Sequence, residues 1–598
     1  MRWICKYYLF WLLFFLIQKP LFMLINLPLM GELSWTDWLM VPWHAFPLDL
    51  SVASYVMALV GLLWAAMSIV KIPHAERILD GYTALLLLVG LVTFIGDCGV
   101  FPSWGFHLDK TIFIYLSSPK EVLACADRQQ WLLGAVVLMI GWDLCFLLYR
   151  WLMRGWAAHF QYDSWLKRGF RCGAYVLFTA LLFLPIRGSV TTSTMNTGRV
   201  YFSENQQLNL AAVNPLFNII ESLGENTFNT DKYTYMPSEE AAGLVDELLP
   251  TEHTGAYKHI LTTQRPDIVL IILESFSSNA WEAMPTMQRL AEEGVYFSNA
   301  YASSFRTDRG VVAIMSAFPG QPTSSLMTVP YKSQHLPQLG STLAEQGYRL
   351  KFWYGGDEDF TNMRSYLISG GFTDRVCDHS FPVSERLSKW GVHDHLLFSR
   401  AAEEIRARQS DKPTLDVILS LSSHEPFEVP ASQRFENVYL NSVAYTDSCV
   451  GAFVDSLRHS PKWEKTLLVL VADHGFPYPA NLQNYEPRRY HLPIIFAGGA
   501  VDHPQRIERV CSQIDIVPTL LAQMDVDHSA YKFAKNALDT TLAPFAFYSF
   551  NDGFGLMSSD TVVIDAKSDH LLMGEPSHTE RQARAFIQRV METIEKEL

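Results

Sequence analysis

DIVLIIL, residues 267–273, runs straight into Glu274, and TLLVLVA, residues 466–472, runs straight into Asp473, His474 and Gly475. Apolar runs this short and unbroken do not alternate, so they do not suit a strand with one wet face. They suit strands covered on both faces, the pattern of a parallel sheet between helix layers. YRLKFWY, LDVILSLSS and LPIIFAGG repeat that texture between residues 348 and 499, with helical patterns around 284–293 and 438–459. The fold class is therefore α/β with a mostly parallel central sheet. In such sheets ligands bind at the carboxyl ends of strands. The polar residues that close these runs, Glu274, Asp357, His424, Asp473 and His474, are the ones to examine.

Upstream the texture changes completely. Five apolar runs, near residues 4–27, 50–70, 78–101, 131–153 and 173–184, approach or reach the length that crosses a bilayer. The first has no small-residue cleavage site and meets Gln18, Lys19 and Pro20 before apolarity resumes, so it reads as a retained helix and not a signal peptide. Basic residues cluster at Arg2 and Lys6, at Lys71 and Arg77, and at Arg150, Arg154, Lys167, Arg168 and Arg171. Loops so charged stay cytoplasmic, which sends the segment after about residue 188 to the outer face, although Lys110, Lys120 and Arg128 run against that bias. The expected plan is a transmembrane domain over 1–188, a juxtamembrane linker with amphipathic helices over 189–265, and an outer domain over 266–598, in a bacterial inner membrane.

A formal charge of −14 and a pI near 5.7 exclude nucleic acid as a partner. The eight cysteines contain no CxxC pair. Cys98 and Cys125 share an outer loop and are candidates to pair, while Cys377, Cys449 and Cys511 are an odd number and are read as free thiols.

A carboxylate and an imidazole delivered together at a strand end, Asp473 with His474, suit a divalent cation, and Glu274 offers a third ligand in the same manner. A nucleophile is available in SSFRTDRG, residues 303–310, where Thr307 precedes a helical pattern. Such a hydroxyl serves as a helix N-cap or as a nucleophile activated by an adjacent metal, and both readings stay open here. His393, His395 and His491 read as helix-start and strand-start residues, and Tyr354 and Phe360 as aromatic residues at strand ends.

Taken in order, ESF at 274–276, SFRTDRG at 304–310, WYGGDEDFTNMR at 353–364, SSHEPF at 422–427, ADHG at 472–475 and IDIVPTLL at 514–521 resemble the lipoteichoic acid synthase (phosphoglycerol transferase) group of the sulfatase and alkaline phosphatase superfamily. The resemblance extends to the five-span plan. It implies one Mn, Mg or Zn ion held by Glu274, Thr307, Asp473 and His474, with Thr307 as the catalytic nucleophile. It also implies a headgroup pocket built from Asp357, Arg364 and His424, to which Asn362 and Trp353 are added here, Arg364 gripping phosphate through its fork of donors.

Departures from the group's pattern are specific. Gly355 stands where the group has His, Asn362 where it has Trp, and Asp308 and Arg309 where it has Ser and Asp. These leave the metal set whole and the headgroup and acceptor open. No CxPxR or SxPxR lies near Thr307, which ranks sulfatase activity low. The function expected is a metal-dependent transferase moving a phospho-headgroup, phosphoglycerol first, from a membrane phospholipid through a phosphothreonine to a glycan or lipid-linked acceptor. The alternatives are phosphoethanolamine transfer to lipid A or another glycan, and a non-catalytic membrane-tethered binding or sensor module.

Overall fold

The protein is described by a computed structural model that covers the chain outside residues 1, 111, 114–127, 161–163, 191–192, 225–227, 229, 251–254, 410 and 480–481. It divides into two compact units, Met1–Glu225 and Asn226–Leu598.

The first unit is helical. Five helices are long and apolar enough to cross a membrane: α1 (Arg2–Ile25), α2 (Trp35–Ile69), α3 (Ala75–Trp104), α4 (Arg128–Leu152) and α5 (Trp165–Leu181, extended by Phe183–Arg187). α2 starts about four turns before the apolar run that announces it. Ser34 caps it, accepting from the Asp37 N–H while the Asp37 carboxylate accepts from the Ser34 N–H. That capping box satisfies the free donors of the first turn and lets the helix run on through Pro42 and Pro47.

This unit also contains the short helices α6 (Gln206–Ala212) and α7 (Pro215–Gly224). They do not form a free linker. Lys19 of α1 donates to the Val213 carbonyl at 3.0 Å and pairs with Asp49 of α2 at 3.2 Å, and Asn214 donates to Asp49 at 2.8 Å. His107 lies between Asp97 of α3, at 2.8 Å, and the Leu210 carbonyl, at 2.7 Å. The expected linker over 189–265 is thus divided. Its first part is drawn into the helical unit by buried charges that need partners, and its last part, including α8 (Ser238–Leu248), belongs to the second unit.

In the second unit nine strands form one sheet in the order β4-β3-β5-β1-β6-β7-β2-β8, with β9 also paired to β2. They are β1 (Asp267–Leu273), β2 (Val295–Tyr301), β3 (Arg349–Tyr354), β4 (Arg375–Val376), β5 (Thr414–Leu419), β6 (Thr466–Ala472), β7 (His491–Ala497), β8 (Gln505–Ile507) and β9 (Cys511–Ser512). Every pairing is parallel except those of β7 with β6 and β2. β5 and β6 are buried along their whole length and β1 from its second residue, as their unbroken apolar runs require. The helices α9 (Pro285–Glu293), α10 (Thr307–Ser316), α11 (Met363–Ser369), α12 (Asp394–Ala407), α13 (Val438–Arg458) and α14 (Ile516–Gln523) intervene along the chain.

A second, antiparallel sheet follows: β10 (Ala546–Phe550), β11 (Gly553–Met557), β12 (Thr561–Asp565) and β13 (His570–Met573). α15 (His578–Lys596) closes the chain, and its Gln588 accepts the Tyr235 and Met236 N–H groups ahead of α8. Cys377, Cys449 and Cys511 are free thiols, the last two buried. Cys98 is also free, and its suggested partner Cys125 lies outside the described residues, as does Lys120.

Candidate metal centre and active site

β1 and β6 are neighbours in register, Leu273 beside Ala472, so the residues that follow them, Glu274 and Asp473, leave the sheet side by side. The ligand atoms of Glu274, Asp473 and His474 lie within 4.8 Å of one another. His474 Nε2 is 3.5 Å from Glu274 Oε1 and 3.5 Å from Asp473 Oδ2. Its Nδ1 is 3.2 Å from the Gly475 carbonyl, which favours N–H there and leaves Nε2 as the lone-pair nitrogen facing the carboxylates.

Backbone strain and hydroxyl groups hold this cluster. Ser275 takes a positive φ of 58° and points its N–H at Asp473 Oδ1, 2.8 Å away, where the His474 N–H also donates at 2.7 Å. The Ser275 hydroxyl donates to Glu274 Oε1 at 2.6 Å, the Glu274 N–H to the Ser420 hydroxyl at 2.9 Å, and the Ser423 hydroxyl to the Glu274 carbonyl at 2.6 Å. Gln513, fully buried, donates to the carbonyls of Ala472 and Asp473 and accepts from the Ser303 N–H, tying the Asp473 turn to the segment that leads into Thr307. Neither Ser275 nor Gln513 carries a sequence signal beyond lying in or beside the ESF and IDIVPTLL motifs.

Thr307 is the first residue of α10, one place past the N-cap position, which Arg306 fills without a side-chain cap bond. The hydroxyl is therefore not spent on capping; it donates to Glu274 Oε2 at 3.1 Å. Gly310, one turn on, lies so close to the Asp473 carbonyl that a Cβ there would meet its oxygen at 2.1 Å. α10 approaches the strand end because this position has no side chain.

The donor set fits a divalent cation. Asp473 Oδ2 is buried and has no hydrogen-bond partner among the described residues, an unusual state for a carboxylate oxygen unless a cation meets it. Burial pushes the Asp473 carboxyl well above the usual carboxylate range, and the adjacent Glu274 charge adds to the push. Burial also raises Glu274, but the charges of His474 and His424 and the Ser275 hydroxyl outweigh it and bring this carboxyl below its ordinary value. Burial pulls the His474 imidazole down, against the upward influence of Glu274. Two buried carboxyl groups beside an imidazole whose Nε2 faces them form a hard, oxygen-rich set with one nitrogen.

The other nominated residues separate into two groups. β3 and β5 lie next to β1 in the sheet, so the segments that follow them reach the same edge. His424 stands at the rim, with Nδ1 2.8 Å from the Glu425 carbonyl and its ring 4.2 Å from that of Trp390, which in turn meets Phe360. Tyr354 is buried among charges: burial first, then Glu274, Asp357, Asp473 and Asp378, raise its phenol. Asp357 accepts from the Asp359 N–H at 3.0 Å. Arg364 is already paired twice, with Asp359 at 2.5 Å and Glu358 at 3.1 Å. Asn362 is buried and donates to the Thr328 carbonyl at 3.0 Å from a backbone φ of 62°.

Trp353 is a correction. It is fully buried in the sheet core and donates to Asp416 of β5 at 3.0 Å, so it lines no headgroup pocket. Asp416, paired also with Arg408 at 2.7 Å, explains both the polar residue within an apolar run and the need for an indole N–H there. His393 precedes α12, His395 pairs with the Tyr445 hydroxyl at 2.6 Å, and His491 opens β7 with Nε2 3.0 Å from the Ser298 carbonyl.

Residues 266–526 match the sulfatase family model, a span that carries every ligand named above. This part of the chain is similar to the sulfatase family. It is similar over 340 residues, at 27% identity, to phosphoglycerol transferase I of Xanthomonas campestris pv. campestris, covering 50% of this chain and 47% of that protein. The lipoteichoic acid synthase-like protein YvgJ of Bacillus subtilis is 22% identical over 319 residues, 47% of this chain and 51% of the relative. The chain thus spans about half the length of the curated relatives it matches. Among solved structures, an alkaline phosphatase superfamily protein from Vibrio parahaemolyticus overlays with a TM-score of 0.55 at 24% identity, covering 62% of this chain and 99% of that one. The lipoteichoic acid synthase LtaP of Listeria monocytogenes gives 0.50 at 15% identity, covering 60% and 99%. The α/β part of the chain thus shares the fold of these two structures, and its sequence is similar to proteins named phosphoglycerol transferase and lipoteichoic acid synthase-like.

Proposed function

We propose that this chain is a membrane-anchored, divalent-metal-dependent phosphotransferase that moves a phospho-headgroup, phosphoglycerol first, from a phospholipid through Thr307 to a glycan or lipid-linked acceptor. The observation that carries the proposal is the pairing of an unspent Thr307 hydroxyl, 3.1 Å from Glu274, with the buried, partnerless Oδ2 of Asp473. The names of the relatives support phosphoglycerol as the group moved. The basic residues between the early apolar helices support an inner-membrane protein with this domain on the extracytoplasmic side.

Glu274, Asp473 and His474, with Thr307 beside them, would hold a Mn, Mg or Zn ion, which would supply positive charge favouring an ionised threonine and an electron-poor phosphorus. The chain's own groups do the rest. Thr307 Oγ forms a bond to phosphorus as the bond from phosphorus to the diacylglycerol oxygen breaks. The threonine proton leaves toward Glu274, and the departing alkoxide takes a proton for which His424, at the rim, is the carrier. The amide end of α10 faces the phosphoryl oxygens. In the second half the acceptor hydroxyl attacks the same phosphorus, loses its proton by the reverse route and restores Thr307.

One observation favours phosphoethanolamine as a second reading. Arg364 is neutralised by Glu358 and Asp359, and Asp378, which feels the Asp357 charge, has a buried Oδ1 that faces His379 at 3.7 Å but has no hydrogen-bond partner among the described residues. Such an acidic pocket suits an ammonium as well as glycerol hydroxyls.

The test is full-length protein and Thr307→Ala, each with manganese or zinc, given headgroup-labelled phosphatidylglycerol or phosphatidylethanolamine. Diacylglycerol from one lipid, with a phospho-adduct absent from the variant, supports the transferase and names its donor. Metal-bound protein that releases diacylglycerol from neither lipid sinks the proposal and returns the binding-module alternative.

A further inference from the structure

Beside the nucleophile lies a second cationic feature that the metal and headgroup sites do not use. β7 runs antiparallel to β6 and β2, with Val471 opposite Ile494 and Tyr301 opposite His491. The chain entering β7 is therefore flanked by the two strands that deliver Asp473 with His474 and, beyond Tyr301, Thr307. Arg489 sits at that entry. Its carbonyl oxygen presses on Gly475, where a Cβ would lie 2.1 Å from it, and its guanidinium stands 5.5 Å from the ring centre of Phe305, two residues before Thr307. Arg306 approaches the same ring at 5.8 Å.

Arg489 has donors to spare. Its Nη1 donates to Asn484, its Nε is buried with no hydrogen-bond partner, and neither Arg489 nor Arg306 forms an ion pair among the described residues. The Arg489 charge also reaches His474, where it adds to the effect of burial in disfavouring the protonated ring. A half-buried guanidinium with an idle Nε, anchored over an aromatic ring next to a helix amino terminus, is a built anion receptor. Arg364 differs in having both of its forks already engaged by carboxylates.

We propose that Arg489, with Arg306 beside it, grips the oxygens of the phosphate that Thr307 attacks. The assignment rests on the phosphotransferase reading for its role in turnover but predicts anion binding without turnover. Nη2 of Arg489 is the donor left for a phosphate oxygen, and the buried, unpartnered Nε becomes a second only when the anion reaches it, while Asn484 and Phe305 hold the guanidinium.

The experiment is equilibrium dialysis of radiolabelled inorganic phosphate with the full-length, detergent-solubilised, manganese-loaded protein, comparing Arg489→Ala, Arg489→Lys and Arg489→Gln with the parent. Bound manganese is counted in each, so that a variant that loses the metal is set aside and the others are read. The expected result is a phosphate Kd weakened roughly 10- to 100-fold in Ala and Gln, the loss of one charge-assisted donor pair, with partial recovery in Lys. A parent that binds no phosphate, or metal-loaded variants within threefold of it, overturns the proposal. If phosphate binding follows expectation while neither phospholipid is cleaved, Arg489 keeps its assignment and the transferase reading fails.

Discussion

At the scale of the residue, the site depends on groups placed where a single atom decides the outcome. Gly310 is the clearest case. A methyl at its Cα meets the Asp473 carbonyl at 2.1 Å, far inside contact distance, and the obstacle is backbone that cannot swing aside. Gly310→Ala must push the first turn of α10, and Thr307 with it, away from Glu274. Because a shift of about 1 Å in a reacting group costs on the order of 100-fold in rate, turnover should fall by at least tenfold. Thermal unfolding and turnover of the same preparation check this, and a variant that keeps the parental rate would show that α10 is not positioned by this contact. The ligand set makes a second prediction. Two buried carboxylates with one idle oxygen destabilise the metal-free protein, and an ion that binds only the folded state stabilises it according to its concentration over Kd. Manganese or zinc at 100 times Kd should contribute about 2.7 kcal/mol and raise the unfolding temperature. Asp473→Ala should abolish that rise. An equal rise in the variant would place the bound ion elsewhere.

At the scale of the element, the strands were the most legible part. DIVLIIL and TLLVLVA became β1 and β6, and the polar residues after them are the ones that converge, because burial on both faces leaves a strand no freedom in composition. The long apolar helices were legible in number but not in extent. α2 begins at Trp35 because its start is encoded by Ser34 and Asp37, a capping pattern that an apolarity profile passes over. Trp353 was misplaced because a strand-end aromatic looks the same whether it faces a pocket or the core. Only its partner Asp416, one strand away in the sheet and 63 positions away in the chain, distinguishes the two. Lys19 held a similar hidden meaning. It looked like an interruption of the first apolar run, and it is one half of a buried pair with Asp49 that also engages Val213 and Asn214. Removing one partner of such a pair leaves an uncompensated charge, so Lys19→Met should destabilise the helical unit by about 3–5 kcal/mol. The double variant Lys19→Met with Asp49→Leu should recover most of that, since apolar replacement of a whole pair is close to neutral. Denaturant titration of tryptophan fluorescence in detergent would measure the cycle. Equal losses in the single and double variants would show that the pair's charges do not interact energetically.

At the scale of the whole molecule, the division at residue 225 separates the proposed site from the long apolar helices. All proposed ligands, the nucleophile and the headgroup residues lie between Glu274 and His474, within a unit whose hydrophobic core runs from Tyr233 to Ile594 without using the apolar helices. Family resemblance located the motifs in sequence, but not the boundary, because nothing in the composition of residues 189–265 reveals which part is pinned by Asp49 and His107 and which by Gln588. A unit with its own core should fold alone. Residues 226–598 expressed by themselves should therefore bind manganese and cleave a soluble chromogenic phosphodiester with kcat/KM within about threefold of the full chain. Against phospholipid in vesicles the same fragment should fall by at least tenfold, since on the proposed function the apolar helices hold the full chain at the surface where the donor is concentrated and a free fragment loses that effective concentration. Measuring both substrates with both proteins separates the two contributions. A fragment equally active on vesicles would mean that the helices do not deliver the donor. One inactive on the soluble ester, yet folded and metal-bound, would mean that the active site is completed by the first 225 residues.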